Sequence, residues 1–300
     1  MRAPERTAVV ALICASAIAL AASARAGIRV TDDAAEVIAL TRPAERIISL
    51  APHVTELLFA AGAGSRIVGA TRFSDYPPAA QSIPRIGDSF VVDNERIVAL
   101  KPQLIVVWLH GNPEAQLEQL RRLGFPVFSS EPRALGEISS TIRRFGILAG
   151  TEATAEPAAA AFDRRVAALR ERYARRPPVR VFYQVAERPL LTISGTHLID
   201  DVLRLCGATN VFAEMPALTP SISAEAVAAR DPEAIITASG EPGNEAGFAL
   251  WARLRNLTAT RRSNFILLDS DMISRQSPRI LEGAERLCEA LEKVRAKRPS

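Results

Sequence analysis

The side chains best suited to hold a ligand occur where short apolar segments of the chain end. Phe73, Phe90 and Trp108 occupy such positions, although aromatic residues make up only 5% of the sequence. Asp271 and Arg275 follow another apolar segment, FILLD, near the C-terminus. A rim with several aromatic rings and few charges suits a flat, largely apolar ligand that a few polar groups orient. Each aromatic taken alone would fit a hydrophobic core equally well.

The three histidines, His53, His110 and His197, are the other candidates for chemistry. A haem carrier would need an axial ligand, for which His53, His110, Tyr76 and Tyr183 are available, and a metal-ion carrier would use the three histidines with a carboxylate. The sequence contains no G-x-S-x-G, no H-E-x-x-H and no phosphate-binding loop, so we do not expect an enzyme. An exported hydrolase therefore stays only as an alternative.

An internal repeat indicates how these residues are positioned. NERIVALKPQLIVVW and AEAVAARDPEAIITA align with an offset of 130 residues, each reading as a helix, a Pro turn and an apolar strand. The matching pairs are Glu95 and Glu225, Ala99 and Ala229, Pro102 and Pro232, and Ile105 and Ile235. A weaker similarity relates HVTELLFAAGAG to HLIDDVLRLCGA. His53 and His197 begin these two segments, and their matching positions favour a structural role for both. Alternating strands and helices predict two α/β lobes with parallel sheets, which bind a ligand at the carboxyl ends of their strands.

A long helix is predicted between the repeats, over residues 151–176. Thr151 or Thr154 would cap it, Pro157 would sit in its first turn, and Pro177-Pro178 would stop it. Such a helix of about 26 residues would measure roughly 39 Å and act as a rigid strut. The predicted organisation is a first lobe over 27–150, a linking helix over 151–177 and a second lobe over 178–300.

The first 26 residues have the features of a cleaved export signal. Arg2 and Arg6 precede an apolar segment, and Ala24-Arg25-Ala26 forms an A-x-A site. We expect residues 1–26 to be removed by cleavage after Ala26. The alternative, an uncleaved membrane anchor, would need about 20 apolar residues, which is more than this segment provides.

The charge of the chain indicates which binding partners to expect, and its cysteines indicate whether it contains a disulfide. The leader carries three arginines and one glutamate, so the mature chain has a net charge of +2. It has no block of basic residues, and we expect no nucleic-acid binding. The two cysteines of the mature chain, Cys206 and Cys288, would form a disulfide in an oxidising compartment. Two buried free thiols remain the alternative.

Several motifs carry a resemblance to a known family. The segment RIISLAPHVTELLFAAGAGSRIVGATRFSDYPPAA, the W-x-x-GN motif and the terminal SDMISRQSPRI resemble the periplasmic cobalamin-binding proteins of ABC importers. The similarity extends from Arg46 to Leu291, and the wider family also takes up haem and iron-siderophores. The resemblance implies a class III periplasmic binding protein, with two Rossmann-like lobes joined by one long backbone helix and little hinge motion.

The resemblance also implies a function. It predicts the substrate-binding component of an ABC transporter, which captures a corrinoid in the periplasm and delivers it to a permease dimer driven by an ATPase. The corrinoid would be cargo, with no resident cofactor, and the free protein would be a monomer. A haem or iron-siderophore carrier of the same family is the alternative function.

By position, the resemblance assigns ligand contacts to five residues. Phe73 stands where the family has a tyrosine, and Trp108 matches a tryptophan of the cleft. Asp271 and Arg275 fall in a loop that contacts corrin amides, which suits their charges. Phe90 lies one residue beyond a family tryptophan that is replaced here by Ser89. An ion pair between Asp271 and Arg275 is the structural alternative.

Two further residues match the family's docking glutamates, one in each lobe. The resemblance implies that Glu95 and Glu225 contact arginine pockets of the permease. Otherwise they are ordinary first-turn glutamates, which the helix dipole favours. The sequence also departs from the family, because the tryptophan of the second lobe near residues 216–220 is missing. Trp251 lies further on, where we expect it to pack inside the lobe.

Overall fold

The computed structural model describes residues 27–88, 90–240 and 245–299. The predicted export signal, residues 1–26, and Ser89 lie outside these ranges. Within them, no helix combines the length and the apolar character needed to cross a membrane.

The first lobe contains a hairpin, a four-stranded parallel sheet and four α-helices. Its strands are β1 Ile28–Thr31, β2 Val37–Leu40, β3 Ile47–Ser49, β4 Ile67–Ala70, β5 Leu104–Trp108 and β6 Val127–Ser130. Its helices are α1 Pro52–Ala60, α2 Asn94–Ala99, α3 Glu114–Arg122 and α4 Leu135–Ala149. The sheet order is β4-β3-β5-β6, and β3 is buried along its whole length, as expected for a parallel strand covered on both faces.

The second lobe follows the linking helix α5, Glu152–Tyr173. Its strands are β7 Val179–Gln184, β8 Ala186–Glu187, β9 Leu190–Leu191, β10 Ala208–Asn210, β11 Ala234–Ser239 and β12 Phe265–Asp269. Its helices are α6 Leu198–Leu205, α7 Ala224–Arg230, α8 Ala249–Arg253, α9 Thr258–Arg261, α10 Ser270–Ile273 and α11 Ile280–Ala296. Its parallel sheet has the order β10-β7-β11-β12, which is the order of the first sheet with each strand replaced by its counterpart.

The internal repeat persists in the backbone. Helices α2 and α7 begin 130 residues apart, and so do strands β5 and β11. Even the turn between them is repeated, because Lys101 and Asp231 both adopt a positive φ, 46° and 39°. Non-glycine residues rarely take this conformation. The repeat therefore describes one supersecondary unit used twice, and the predicted two-lobed α/β fold is confirmed.

The linking helix α5 has 22 residues and a length of about 33 Å, somewhat less than expected. Three details of the prediction are wrong. Thr151 is the N-cap residue, but its hydroxyl donates to the carbonyl of Ala61 at 2.7 Å instead of capping the helix. Pro157 lies inside the helix rather than in its first turn, and the helix ends at Tyr173, before Arg175.

One hydrophobic core passes through both lobes along this helix. Phe162 and Val166 of α5 belong to the same cluster of buried side chains as Phe145 of the first lobe and Leu287 of the second. Trp251 is fully buried in the second lobe, as expected. The disulfide between Cys206 and Cys288 is present and joins the end of α6 to α11. The shared cluster packs both lobes against the linking helix, and the disulfide fastens two helices within the second lobe.

Candidate ligand-binding site

A cavity of about 410 Å³ lies between the lobes. Trp108 is the last residue of β5, Glu131 follows β6, and Gln184 is the last residue of β7. The lining includes Trp108, His110, Glu131, Gln184, His197 and Gln276. The cavity therefore lies at the carboxyl ends of strands from both sheets, where open α/β sheets bind ligands.

The W-x-x-GN motif shapes the wall of the cavity that belongs to the first lobe. The Asn112 side chain accepts from the backbone N–H of Trp108 at 2.7 Å and donates to the carbonyl of Leu50 at 3.2 Å. A Cβ at Gly111 would overlap the Trp108 ring. Glycine therefore lets the indole lie against the turn, and Asn112 fastens that turn to the sheet.

Of the five predicted ligand contacts, only Trp108 lines this cavity. Phe73 and Phe90 are 68% and 73% exposed and do not belong to its lining. Phe73 also has a φ of 64°, a conformation that costs an aromatic residue about 1–2 kcal/mol. Both remain predictions as ligand contacts.

Asp271 and Arg275 belong to an ion network. Arg275 binds Asp271 at 2.8 Å, as the structural alternative expected. It also binds two carboxylates of the opposite lobe, Glu56 at 2.9 Å and Asp75 at 3.2 Å. The Arg275 side chain is only 13% exposed. The structure thus gives Arg275 a role between the lobes, and its contact with a ligand stays a prediction.

Glu56 is the centre of a cluster that sequence reasoning missed. Its side chain is 2% exposed, and its oxygens accept from Arg275, from Ser277 at 2.6 Å and from Arg279 at 2.7 Å and 3.0 Å. We call Glu56, Arg275, Ser277 and Arg279 the Glu56 clamp. Glu56 comes from the first lobe and its three partners from the second. The cluster could have been anticipated from Glu56 itself, because this carboxylate lies within the run of buried residues His53–Leu58. A buried carboxylate almost always has a charged or hydrogen-bonding partner.

A second polar contact crosses the cleft beside the clamp. Glu131 of the first lobe accepts from the side chain of Gln276 at 3.0 Å and from the backbone N–H of His110 at 3.1 Å. Its Oε2 also lies 3.1 Å from Nδ1 of His110. Glu131 is 4% exposed, so these contacts fix its orientation. His110 is thereby held at the cavity wall.

Two buried polar atoms beside the cavity have no hydrogen-bond partner among the described residues. They are the donor Nε1 of Trp108 and the acceptor Oε1 of Gln276. Buried polar groups are normally paired, so each marks a place where a ligand atom would be favourable. A ligand edge that carries amides supplies both an acceptor and a donor.

The two histidines that begin similar segments are held neutral. Burial lowers the pKa of His53 to about 4, although Glu131 and Glu56 act in the opposite direction. Burial also lowers the pKa of His197 to about 4. The His197 Nδ1 accepts from the backbone N–H of Ile199 at 3.1 Å and so caps α6. His197 thus has a structural role as a cap, and the buried His53 ring packs edge-on against Trp108 with the ring centroids 5.3 Å apart.

These lowered pKa values predict a loss of stability in mild acid. Below pH 6.5 the unfolded chain binds protons that the folded histidines bind only near pH 4, so stability falls as pH falls through that window. From pH 7 to 5 each histidine contributes a loss of up to about 2 kcal/mol. His197→Asn keeps a good capping side chain and cannot titrate. Urea unfolding at both pH values should show a smaller loss for this variant, and an equal loss would contradict the prediction.

The predicted docking residues are matched in structure as well as in sequence. Glu95 and Glu225 are exposed in the first turns of α2 and α7. Asp93 and Ser223 cap these helices, each accepting from the N–H three residues on. Each lobe therefore presents a glutamate at the same position of the same unit.

Within the described ranges, no three His, Cys, Asp or Glu side chains are grouped so that they could hold a metal ion.

Two α/β lobes on a linking helix, with a polar and aromatic cleft at their strand ends, define a solute-binding protein. Residues 47–272 match the model of the family described as periplasmic binding protein, and the chain belongs to this family. Membership confirms the expectation of a binding protein of the periplasm rather than an enzyme.

The similar proteins include vitamin B12-binding proteins. That of Vibrio cholerae serotype O1 is 36% identical over 250 residues, which are 83% of this chain and 90% of the relative. That of Yersinia pestis (strain Pestoides F) is 38% identical over 258 residues, 85% of this chain and 90% of the relative. The sequence resemblance described above is thereby confirmed.

Solved structures agree on the fold. The periplasmic vitamin B12 binding protein BtuF of Vibrio cholerae has a TM-score of 0.77 at 36% identity and covers 84% of this chain and 98% of its own. The periplasmic heme-binding protein RhuT from Roseiflexus sp. RS-1 has a TM-score of 0.72 at 26% identity, covering 83% and 98%. The architecture thus accommodates relatives with different ligands.

Proposed function

We propose that this chain is the substrate-binding component of an ABC importer and captures cobalamin or a related corrinoid as cargo. The leader 1–26 is removed after Ala26, and the lobes 27–150 and 178–300 hold the ligand between them, while the linking segment 151–177, which contains helix α5, limits their motion. The free protein is a monomer. It delivers the ligand to a permease dimer that a cytoplasmic ATPase drives.

One observation carries the choice of ligand. The unpaired Nε1 of Trp108 and Oε1 of Gln276 border the cavity between the lobes, beside an indole that the W-x-x-GN turn holds in place. A corrin combines an apolar ring with a rim of amides, which can accept from the one atom and donate to the other. Relatives named vitamin B12-binding protein, at 36% and 38% identity, support the same choice.

The remaining predicted contacts belong to the rim of the site. Phe73 and Phe90 would cover the faces of the macrocycle with their exposed rings. Asp271 is exposed beside Arg275 and would accept from corrin amides. Arg275 would act mainly through the Glu56 clamp, donating to the ligand with the hydrogens that the clamp leaves free.

Ligand titration tests the proposal directly. We expect cyanocobalamin and cobinamide to bind with one site in calorimetry and absorbance titrations, and haemin to bind more weakly. Trp108→Ala should weaken corrinoid binding about 30-fold, the loss expected for a central aromatic contact. Leu123→Ala removes an exposed apolar side chain of the first lobe away from the cavity and serves as the matched control. Binding of haemin alone, or of no compound, would overturn the proposal.

A further inference from the structure

The hydrogen bonds of His110 and His197 leave different ring nitrogens of the two imidazoles without a proton. A carboxylate can only accept, so the Glu131 oxygen 3.1 Å from Nδ1 of His110 places the proton of that ring on Nδ1. The Nε2 of His110 then carries the lone pair. The His197 ring has the opposite arrangement, because its Nδ1 accepts from Ile199 and its proton lies on Nε2.

His110 is also the accessible imidazole. Its side chain is 54% exposed and lines the cavity. The Nε2 of His53 is buried without a partner among the residues described, and His53 is not part of the lining. Of the histidines, His110 therefore presents a lone pair to the space between the lobes.

The surroundings of His110 hold it as metal ligands are held. A carboxylate on the second ring nitrogen fixes the tautomer and increases the basicity of the ligating nitrogen. Here that carboxylate is buried and is itself held by Gln276 from the opposite lobe at 3.0 Å. The backbone N–H of His110 binds the same carboxylate at 3.1 Å. One imidazole supplies one ligand, which suits a metal already enclosed by a macrocycle.

We propose that His110 Nε2 coordinates the cobalt of a corrinoid whose axial position is occupied by water. This inference rests on the proposed function and identifies which forms of the ligand are preferred. The Nε2 lone pair replaces the water, which leaves into the solvent. No proton is transferred, and the oxidation state of cobalt does not change. Corrinoids with a tightly held axial group would bind through the ring and its amides alone.

The test compares two corrinoids that differ in the exchangeable position. Binding of aquacobalamin to the wild-type protein should shift its visible absorption bands, whereas cyanocobalamin should bind without such a shift. His110→Ala should abolish the shift and weaken aquacobalamin binding at least tenfold more than it weakens cyanocobalamin binding. Glu131→Gln should weaken aquacobalamin binding by about 10–100-fold, as for other partners of ligating histidines.

His197→Asn is the matched control, because it removes a second imidazole from the same cavity and should leave the shift intact. Circular dichroism and urea unfolding show that each variant is folded. A wild-type complex with aquacobalamin that shows no shift, or a shift that persists in His110→Ala, would overturn the inference and leave the proposed function standing. Failure of both corrinoids to bind would instead reject the proposed function.

Discussion

Replacing both Glu95 and Glu225 with arginine is expected to abolish corrinoid uptake while the Kd for the ligand stays within about twofold. Both side chains are exposed, in the first turns of α2 and α7, and neither lines the cavity between the lobes. If they meet arginines of the permease, each reversal places like charges together, which costs several kcal/mol at an interface. The loss should therefore appear in delivery and not in capture.

Growth of cells that depend on imported corrinoid measures uptake. Calorimetry on the purified variants measures the affinity for the ligand. The variant Glu36→Arg and Glu187→Arg is the control, since it makes the same change of charge at one exposed glutamate of each lobe. Uptake should continue with the control. Normal uptake by the Glu95 and Glu225 variant, or loss of its ligand affinity, would contradict the docking role.

Replacing Glu56 with alanine should destabilise the protein by about 3–5 kcal/mol. The change removes the carboxylate that Arg279 binds and leaves Arg275 with only the more exposed Asp271 and Asp75, while the two arginine side chains stay 14% and 13% exposed. Removing one partner of a buried ion pair has a cost of this size because the other charge stays desolvated. Urea unfolding measures the loss. We also expect at least a tenfold weaker affinity for corrinoid, because the clamp sets the distance between the two walls of the cleft.

Two further variants separate charge from shape in the Glu56 clamp. Glu56→Gln keeps the volume and an acceptor oxygen, so it should lose only about 2 kcal/mol. The pair Glu56→Met and Arg279→Met replaces the strongest contact with apolar packing and should recover much of the stability, as apolar substitutes for buried ion pairs often do. A Glu56→Ala protein within about 1 kcal/mol of wild type would contradict this account.

The sequence was sufficient for the features that depend on local pattern. The offset between residues 94–108 and 224–238 predicted two equivalent units, and the structure reproduces it in helices, strands and the turns at Lys101 and Asp231. Helix α5 was predicted from its composition. Its first turn was placed wrongly because proline and threonine preferences are averages, and the Thr151 hydroxyl binds the carbonyl of Ala61 instead.

The features that depend on how the lobes meet could not be derived in this way. Arg275 was assigned to the ligand, and its partners Glu56 and Asp75 lie 219 and 200 residues away in the sequence. No periodicity relates such positions. The pairing of His110 with Glu131 has the same character, because it joins the ends of neighbouring strands β5 and β6 only after the sheet has formed.

The core that runs along the linking helix has an evolutionary consequence. Each lobe has a hydrophobic cluster of its own, but Phe162 and Val166 of α5 pack in a third cluster that both halves share, so neither half completes its whole interior alone. A recombination event that exchanged one half would have to supply a helix that fits the other, so inheritance of this chain by interchangeable modules is disfavoured. New ligand preferences can arise instead through loop substitutions at the strand ends, which leave that shared interior unchanged.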